Sequence, residues 1–245
     1  MTERASVRWL VATVAETVPE TARAVTLRLE VPNWPGHRPG QHVDVRLTAE
    51  DGYSTQRSYS IASPPGAERL ELTVERIDEG EMSPYLTTVA DLGDRFELRG
   101  PIGGWFVWDG RDTAPVLLVG GGSGVVPLRA ILRHHAASNS TAAMHLVHSA
   151  RTLGDVIYRQ ELEALTGPRR AVTLTLTRES APDWPGHRGR VDAGLLGEVG
   201  WPPSVRPHCY VCGPTAFVET VADALVALGH EPGRIRTERF GPTGG

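Results

Sequence analysis

The chain has 245 residues, of which 40% are hydrophobic and 22% charged, and its formal net charge is -4. This length suffices for one large or two small domains, and the composition is that of an ordinary globular protein. The slightly acidic balance gives no electrostatic basis for nucleic-acid binding. Residues 1–18 are charged and lack a long apolar stretch, so the sequence predicts no signal peptide and no membrane span and favours a cytoplasmic location.

Apolar and polar residues alternate in three segments of the first half of the chain, as they do in half-buried strands. The segments are Val25-Leu27-Leu29-Val31, Val43-Val45-Leu47 and Leu70-Leu72-Val74. Turn signals such as Pro35-Gly36 and Pro64-Pro65-Gly66 separate the segments. The pattern predicts an antiparallel barrel or sandwich in this half of the chain.

Arg57-Ser58-Tyr59-Ser60 places a cation, an aromatic ring and two hydroxyls on one short segment of this half. If the segment is extended, Arg57 and Tyr59 point to one face while Ser58 and Ser60 point to the other. A guanidinium binds a phosphate, a phenol ring packs on an isoalloxazine, and a hydroxyl reaches a ring nitrogen. The segment therefore suits a flavin, although a half-exposed strand with one surface arginine would have the same sequence.

The pattern changes near residue 110. Residues 109–115 are polar and end at a proline, so we expect a domain boundary there, with domains at 1–109 and 110–245. Strand-like runs then follow at 116–119, 144–150, 172–178, 208–212 and 234–240, with helical patterns at 156–165 and 217–228 between them. The second half is predicted to be a parallel α/β domain, which makes the architecture a two-domain β plus α/β one.

A glycine-rich turn follows the apolar run at 116–119. It comprises Gly120, Gly121, Gly122, Ser123, Gly124 and Val125, and Leu128, Ile131 and Leu132 continue at helical spacing. Glycines between a parallel strand and a helix amino terminus present bare amides and a helix dipole to a pyrophosphate, which favours a dinucleotide site. The spacing Gly122-x-Gly124-x-x-Pro127 lacks the usual third glycine, which argues against a standard dehydrogenase Rossmann site.

The chain contains two cysteines, Cys209 and Cys212. Because they lie three residues apart in a predicted strand, their thiols point to opposite faces and are poorly placed for a disulfide. Two cysteines cannot supply the four thiolates of an iron-sulfur cluster, and no histidine spacing nearby completes a zinc site. The sequence therefore predicts no metal site.

The order of these motifs resembles that of the ferredoxin-NADP reductase family over almost the whole chain. The family's second flavin segment is similar to Val74-Glu75-Arg76 leading to Gly80-Glu81-Met82-Ser83, and its Cys-Gly-Pro is similar to Cys212-Gly213-Pro214. The resemblance implies an antiparallel flavin-binding β-barrel followed by a parallel-sheet nucleotide-binding domain. It also implies FAD, rather than FMN, as the cofactor.

The resemblance assigns roles to single residues. Arg57 would neutralise a flavin phosphate, Tyr59 would stack on the ring, and Ser60 would contact flavin N5. The predicted catalytic residues are Ser60, Cys212 and Glu238. The predicted cofactor-binding residues are Arg57, Ser58, Tyr59, Ser60, Val74, Arg76, Gly80, Met82, Ser83, Phe240, Gly121, Gly122, Ser123, Gly124, Val125, Ser149, Arg151, Arg178, Arg190, Cys212, Gly213 and Pro214.

Alternatives remain open for two of these residues. Cys212 is expected beside the nicotinamide because Gly-Pro follows it, and the alternative is a small buried strand residue. Phe240 would cover the flavin face, but the sequence continues five residues beyond it and the family's plant-type members have Tyr there. The alternative for Phe240 is a place in the core.

NADPH is the favoured nucleotide, because three arginines fall where the family binds the 2′-phosphate. Arg151 follows the second strand of the α/β domain, Arg178 ends the third, and Arg190 follows Gly189. The alternative for any one of the three is a solvated arginine without a role in binding, which is common at the start of a loop.

The predicted function is hydride transfer from NADPH, or NADH, to FAD and onward passage of electrons to a separate acceptor. The acceptor would be a ferredoxin, a flavodoxin or an oxygenase component, since no cluster-binding cysteines accompany the reductase. Two alternatives share these motifs: a diaphorase or flavin reductase acting on free flavin or quinone, and a non-catalytic subunit that senses pyridine nucleotide.

Overall fold

The computed structural model describes residues 8–178 and 183–241. Parts of two predicted segments, residues 1–7 of the charged amino terminus and 242–245 beyond Phe240, lie outside the described residues. The chain divides into two compact units, 1–107 and 108–245. Trp108 belongs to the second unit, where its ring lies 5.9 Å from that of His134 and 5.6 Å from that of His135. The division thus falls two residues before the expected boundary.

The first unit is a six-stranded antiparallel sheet with one helix. The strands are β1 (Trp9–Thr21), β2 (Ala24–Glu30), β3 (His42–Thr48), β4 (Ser54–Ser60), β5 (Leu70–Glu75) and β6 (Arg95–Ile102), and the helix is α1 (Met82–Thr88). Their order is β4-β3-β6-β1-β2-β5, and a bridge between Ile61 and Leu72 joins the two ends of the sheet. The predicted antiparallel barrel is confirmed.

Side chains that alternate along these strands fill the barrel. Leu27, Leu29, Val43, Val45 and Leu72 are fully buried in one apolar cluster, as the alternating pattern predicts. The pattern did not reveal β1, because a register shift between Val14 and Glu16 breaks the two-residue period of that long strand.

The second unit is a six-stranded parallel sheet with helices. Its strands are β7 (Val116–Gly121), β8 (Met144–Ala150), β9 (Arg170–Leu176), β10 (His187–Arg188), β11 (His208–Pro214) and β12 (Ile235–Phe240). Its helices are α2 (Val125–Ala137), α3 (Arg159–Ala164), α4 (Ala193–Val199) and α5 (Thr215–Ala227). The order β10-β9-β8-β7-β11-β12 confirms the predicted parallel α/β domain.

Two elements of this unit differ from the sequence-based prediction. β9 ends at Leu176, so Arg178 lies two residues beyond the strand rather than at its end. The helix expected from Val156 begins at Arg159, because Tyr158 has a left-handed backbone with φ 61° and interrupts a helix there. Val156 is buried instead in a small apolar cluster with Ala150 and Leu176.

The parallel strands of the second unit end at one edge of the sheet, which we call the carboxyl edge. The register pairs Gly120 with Cys212, and Gly121 with Ser149. Loops at this edge of an open α/β sheet form the usual ligand crevice. None of the helices in the described part of the chain has the length and hydropathy needed to cross a membrane.

Candidate functional site

Strand β4 displays the predicted flavin motif on its two faces. Tyr59 packs partly buried against the barrel core, and burial raises the pKa of its phenol to about 12 although the Arg57 cation opposes this. Arg57 is exposed and donates a hydrogen bond to the carbonyl of Gln56 at 2.7 Å. No carboxylate among the described residues forms an ion pair with Arg57. The strand therefore offers a neutral phenol and an uncompensated cation.

The opposite face of β4 is held by a carboxylate that sequence reasoning missed. Ser58 Oγ donates to Asp44 Oδ1 at 2.7 Å, and Arg99 Nη2 donates to Asp44 Oδ2 at 2.6 Å. These bonds hold the pKa of Asp44 below its usual value even though burial alone would raise it. Only pairing of β4, β3 and β6 brings the three residues together, so the chain order gives no signal of the contact.

The second predicted flavin segment, residues 74–83, runs from β5 to α1. Gly80 N donates to Ile77 O at 2.9 Å, and Ile77 N donates to Ser83 Oγ at 3.0 Å. The Ser83 hydroxyl thus braces the turn, and its own proton points to Ile77 O at 3.4 Å. Arg76 forms an ion pair with Asp78 at 3.0 Å rather than standing free. The turn is held by its own hydrogen bonds, and its polar side chains bond mainly to other groups of the same turn.

Barrel closure brings the two flavin segments to neighbouring positions. The bridge between Ile61 and Leu72 fixes the end of β4 against β5, and Tyr53 donates from its hydroxyl to Glu81 at 2.9 Å. The loop before β4 is therefore tied directly to the turn before α1.

The glycine turn packs directly on the end of β11. After β7, residues Gly122–Gly124 form a short 3₁₀ turn that leads into α2. A Cβ on Gly124 would lie 2.1 Å from Cys212 O, and a Cβ on Gly213 would lie 2.7 Å from the Phe217 ring. A side chain at either position would collide with these neighbours. Glycine is therefore needed so that the segments can pack closely, and not because the backbone has an unusual φ.

His148 lies beside this turn without exposure to solvent. Its Nδ1 donates to Gly120 O at 3.3 Å, while Nε2 is buried and has no hydrogen-bond partner among the described residues. Burial lowers the pKa of His148 to about 4, so the ring is neutral at physiological pH.

Parallel pairing of β11 with β12 sets four of the predicted site residues side by side in two pairs. Cys212 is the register partner of Glu238, and Pro214 that of Phe240. Both Cys212 and Cys209 are free and buried, and burial together with the Glu238 charge raises the pKa of the Cys212 thiol. The thiol therefore stays protonated. In the described ranges, no group of three or more His, Cys, Asp or Glu side chains could hold a metal ion.

The three arginines predicted to bind a 2′-phosphate gather at the carboxyl edge of neighbouring strands. Arg178 N donates to Arg151 O at 2.8 Å, which sets these residues next to each other beyond β9 and β8. Gly189 N donates to Leu176 O at 2.9 Å and so brings Arg190 to the same edge. All three side chains are exposed, and none has an ion pair within residues 8–178 and 183–241. We call them the arginine cluster.

Two features beside the arginine cluster were missed. Thr152 and Asp155 form a reciprocal cap directly after Arg151, and the motif Thr-x-x-Asp is itself a sequence signal for such a cap. Trp184 packs on the apolar cluster of Ala150, Val156 and Leu176, and its Nε1 donates to His187 O at 3.0 Å. The sequence carries no comparable signal for Trp184, because its neighbours come from other strands.

Several predicted cofactor-binding residues have buried side chains. They are Val74, Met82, Ser83, Val125, Ser149 and Cys212. Val74 and Met82 belong to the barrel core, so a ligand could meet only their backbone groups. These side chains are thus largely covered by neighbouring residues, and their contacts with a cofactor stay predictions.

The residues present fit a flavin in one unit and a dinucleotide in the other. In the barrel, Arg57 supplies a free cation and Tyr59 a neutral ring on one strand face. In the second unit, the glycines at 122 and 124 form a strand-to-helix turn, and Gly124 packs closely on the backbone of Cys212. Backbone amides at such a turn can hold a pyrophosphate.

Comparison with known families supports this division of the chain. A model of the oxidoreductase FAD-binding domain matches residues 11–107, and a model of the oxidoreductase NAD-binding domain matches residues 118–223. A solved structure, the flavohem-like FAD/NAD binding domain of nitric oxide dioxygenase from Vibrio cholerae, is 26% identical with a TM-score of 0.84. The match covers 95% of this chain and 99% of that one.

Two curated relatives cover most of this chain. The glycine betaine monooxygenase reductase subunit of Chromohalobacter salexigens is 32% identical over 84% of this chain, which spans only 56% of the relative's length. Ferredoxin-NADP reductase B of Sorangium cellulosum is 36% identical over 82% of this chain and 84% of the relative. With its FAD-binding barrel and NAD-binding α/β domain, the chain belongs to the ferredoxin-NADP reductase family.

Proposed function

We propose that the protein takes a hydride from NADPH, or from NADH, onto FAD and passes electrons to a separate acceptor such as a ferredoxin, a flavodoxin or an oxygenase component. One observation carries this proposal: the flavin motif on β4 and the glycine turn against Cys212 occur in one chain. The relatives named as a monooxygenase reductase subunit and a ferredoxin-NADP reductase support a protein acceptor. The cytoplasmic location stays a prediction.

In the barrel, β4 is proposed to bind and orient the flavin. Arg57 neutralises a phosphate, Tyr59 stacks as a neutral ring, and Ser60 contacts N5. The turn at 80–83 contributes backbone amides, because the Ser83 hydroxyl is engaged with Ile77. When bound, FAD and the pyridine nucleotide supply the hydride transfer from nicotinamide C4 to flavin N5.

In the second unit, the glycine turn is proposed to hold the nucleotide pyrophosphate through residues 121–125. The nicotinamide end of the site is proposed to be lined by the tightly packed residues Cys212, Gly213 and Pro214. The Cys212 thiol is protonated there. The raised pKa of Cys212 excludes a thiolate there, so its part is to position the ring rather than to attack it. The roles expected of Glu238 near the active site and of Phe240 as a cover stay predictions.

The nucleotide preference is proposed to be for NADPH. The arginine cluster, formed by Arg151, Arg178 and Arg190, presents three exposed cations at one edge. A 2′-phosphate distinguishes NADPH from NADH, and charged hydrogen bonds to it contribute about 1.5–3 kcal/mol each. Two such bonds would suffice for a clear preference.

Anaerobic mixing of the protein with NADPH or NADH tests the central proposal. The extracted flavin is first identified as FAD or FMN, and the flavin absorbance is then followed. We expect FAD and rapid bleaching by NADPH. If no flavin copurifies or binds on reconstitution, or if neither nucleotide bleaches it, the proposal fails.

Arginine variants test the nucleotide preference. We expect Arg151→Ala and Arg178→Ala each to raise the Michaelis constant for NADPH about tenfold, the effect of one charged hydrogen bond, and to leave that for NADH nearly unchanged. Arg159→Ala is the matched control, because Arg159 is an exposed arginine of the same unit that pairs with Glu163 in α3. Equal effects on both nucleotides would contradict the assignment.

A further inference from the structure

We propose that Thr152 contributes to nucleotide selectivity by holding the Asp155 carboxylate away from the arginine cluster. The inference rests on the proposed 2′-phosphate role of that cluster. It adds a residue that touches neither nucleotide nor flavin and acts by positioning a negative charge.

Thr152 donates two hydrogen bonds to the Asp155 side chain. Its hydroxyl donates to Asp155 Oδ2 at 2.7 Å, and its backbone N donates to the same oxygen at 3.1 Å. Asp155 N in turn donates to Thr152 O at 3.1 Å. The carboxylate is thereby fixed at the start of the short turn Leu153–Asp155.

Asp155 lies only four residues after Arg151, yet the two side chains form no ion pair in the part of the chain that the structure describes. Arg190 shows the same pattern with Asp192, whose Oδ1 accepts from Leu195 N at 2.9 Å and caps α4. Local donors therefore hold both acidic side chains that follow these arginines.

Loss of the threonine hydroxyl removes the shorter of the two bonds to the Asp155 carboxylate. A freed carboxylate can pair with Arg151 or repel an incoming phosphate, and either effect penalises a ligand in proportion to its 2′-charge. Exposed ion pairs contribute little free energy, so we expect binding of a 2′-phosphorylated ligand to weaken two- to fivefold, which is about 0.4–1 kcal/mol.

Calorimetry on the full chain with 2′,5′-ADP and 5′-AMP measures this directly, without turnover. Thr152→Val is isosteric and lacks the hydroxyl, whereas Thr152→Ser is the matched control that keeps it. We expect Thr152→Val to bind 2′,5′-ADP two- to fivefold more weakly and 5′-AMP unchanged, and Thr152→Ser to bind both as the parent does. Thr152→Val with Asp155→Asn should recover the parent affinity, because the freed side chain is then neutral.

If Thr152→Val loses affinity equally for both ligands, Thr152 only maintains the loop. If neither affinity changes, Thr152 does not restrain Asp155. Both results overturn the proposal. Should Thr152→Val not fold, Thr152→Ala, which also lacks the hydroxyl, is measured in its place with the same expected results. A gain of twofold or more in the affinity of Asp155→Asn for 2′,5′-ADP would show that the carboxylate already acts on the cluster and would refute the inference.

Arg151→Ala separates this inference from the proposed function beneath it. If Arg151→Ala fails to weaken 2′,5′-ADP selectively, the 2′-phosphate role itself is wrong. If it weakens 2′,5′-ADP selectively while Thr152→Val does not, only the role of Thr152 is wrong.

Discussion

Gly124→Ala introduces a single methyl group where two backbone segments meet. The new Cβ would lie 2.1 Å from Cys212 O, 2.4 Å from Cys212 C and 2.8 Å from Gly213 N. Gly124 itself has φ -62° and ψ -13°, which alanine adopts readily, so the whole effect comes from contact rather than from backbone strain.

The size of the effect follows from these distances. Since Cβ contacts shorter than 3.0 Å are essentially never seen, the turn and the end of β11 must separate by about 0.9 Å. The obstructing atoms are backbone, which cannot rotate away as a side chain can. We therefore expect a loss of about 3 kcal/mol in the free energy of unfolding, the upper end for overpacking. The displaced amides should also lower nucleotide affinity at least tenfold.

Urea unfolding and calorimetric titration with NADP⁺ measure the two effects, and the FAD content reports on the barrel separately. Gly233→Ala is the matched control, because nothing lies within 4 Å of a Cβ there, and it should change stability by less than about 0.5 kcal/mol. Gly124→Ala with parent stability and parent NADP⁺ affinity would refute the reasoning from close approach.

Two further predictions concern buried titratable groups. The pKa of His148 is about 4 when folded and 6.5 when unfolded, so stability falls as pH drops between these values, by about 3 kcal/mol in all. In His148→Phe, we expect the free energy of unfolding, measured with urea at pH 7 and 4.5, to lack this part of its decrease at the lower pH. A decrease as large as that of the parent would contradict the prediction. Burial raises the pKa of Cys209 and Cys212, so iodoacetamide at pH 8 should label neither thiol until urea is added, as mass spectrometry can check; labelling of the folded protein would disprove their burial.

Local sequence patterns predicted much of the fold. Alternation located β2, β3 and β5, and the apolar run before the glycines located β7 and the turn after it. The same reasoning failed for β1, whose bulge interrupts the alternation, and for the start of α3, where the left-handed Tyr158 ends a pattern that looked helical. Prediction from hydrophobic periodicity assumes a regular backbone, so one irregular residue is enough to make the predicted element wrong or to hide it.

The candidate site divides in the same way. The residue types of the flavin motif and the arginine cluster are visible in the chain, because each chemistry demands a particular side chain. Whether those side chains are available is not visible: Arg76 is paired with Asp78, Ser83 braces a turn, and Met82 lies in the core. These outcomes depend on neighbours brought in by folding.

Local sequence patterns predict the order of the two units, the strand that carries the flavin motif and the glycine turn, since these follow from periodicity and from backbone freedom within a few residues. The contacts between Asp44 and Ser58, between Gly124 and Cys212, and between Arg151 and Arg178 arise from folding and could not be predicted in this way. Hydrogen bonds and contacts act over a few ångströms, and strand pairing alone brings residues distant in the chain within that range.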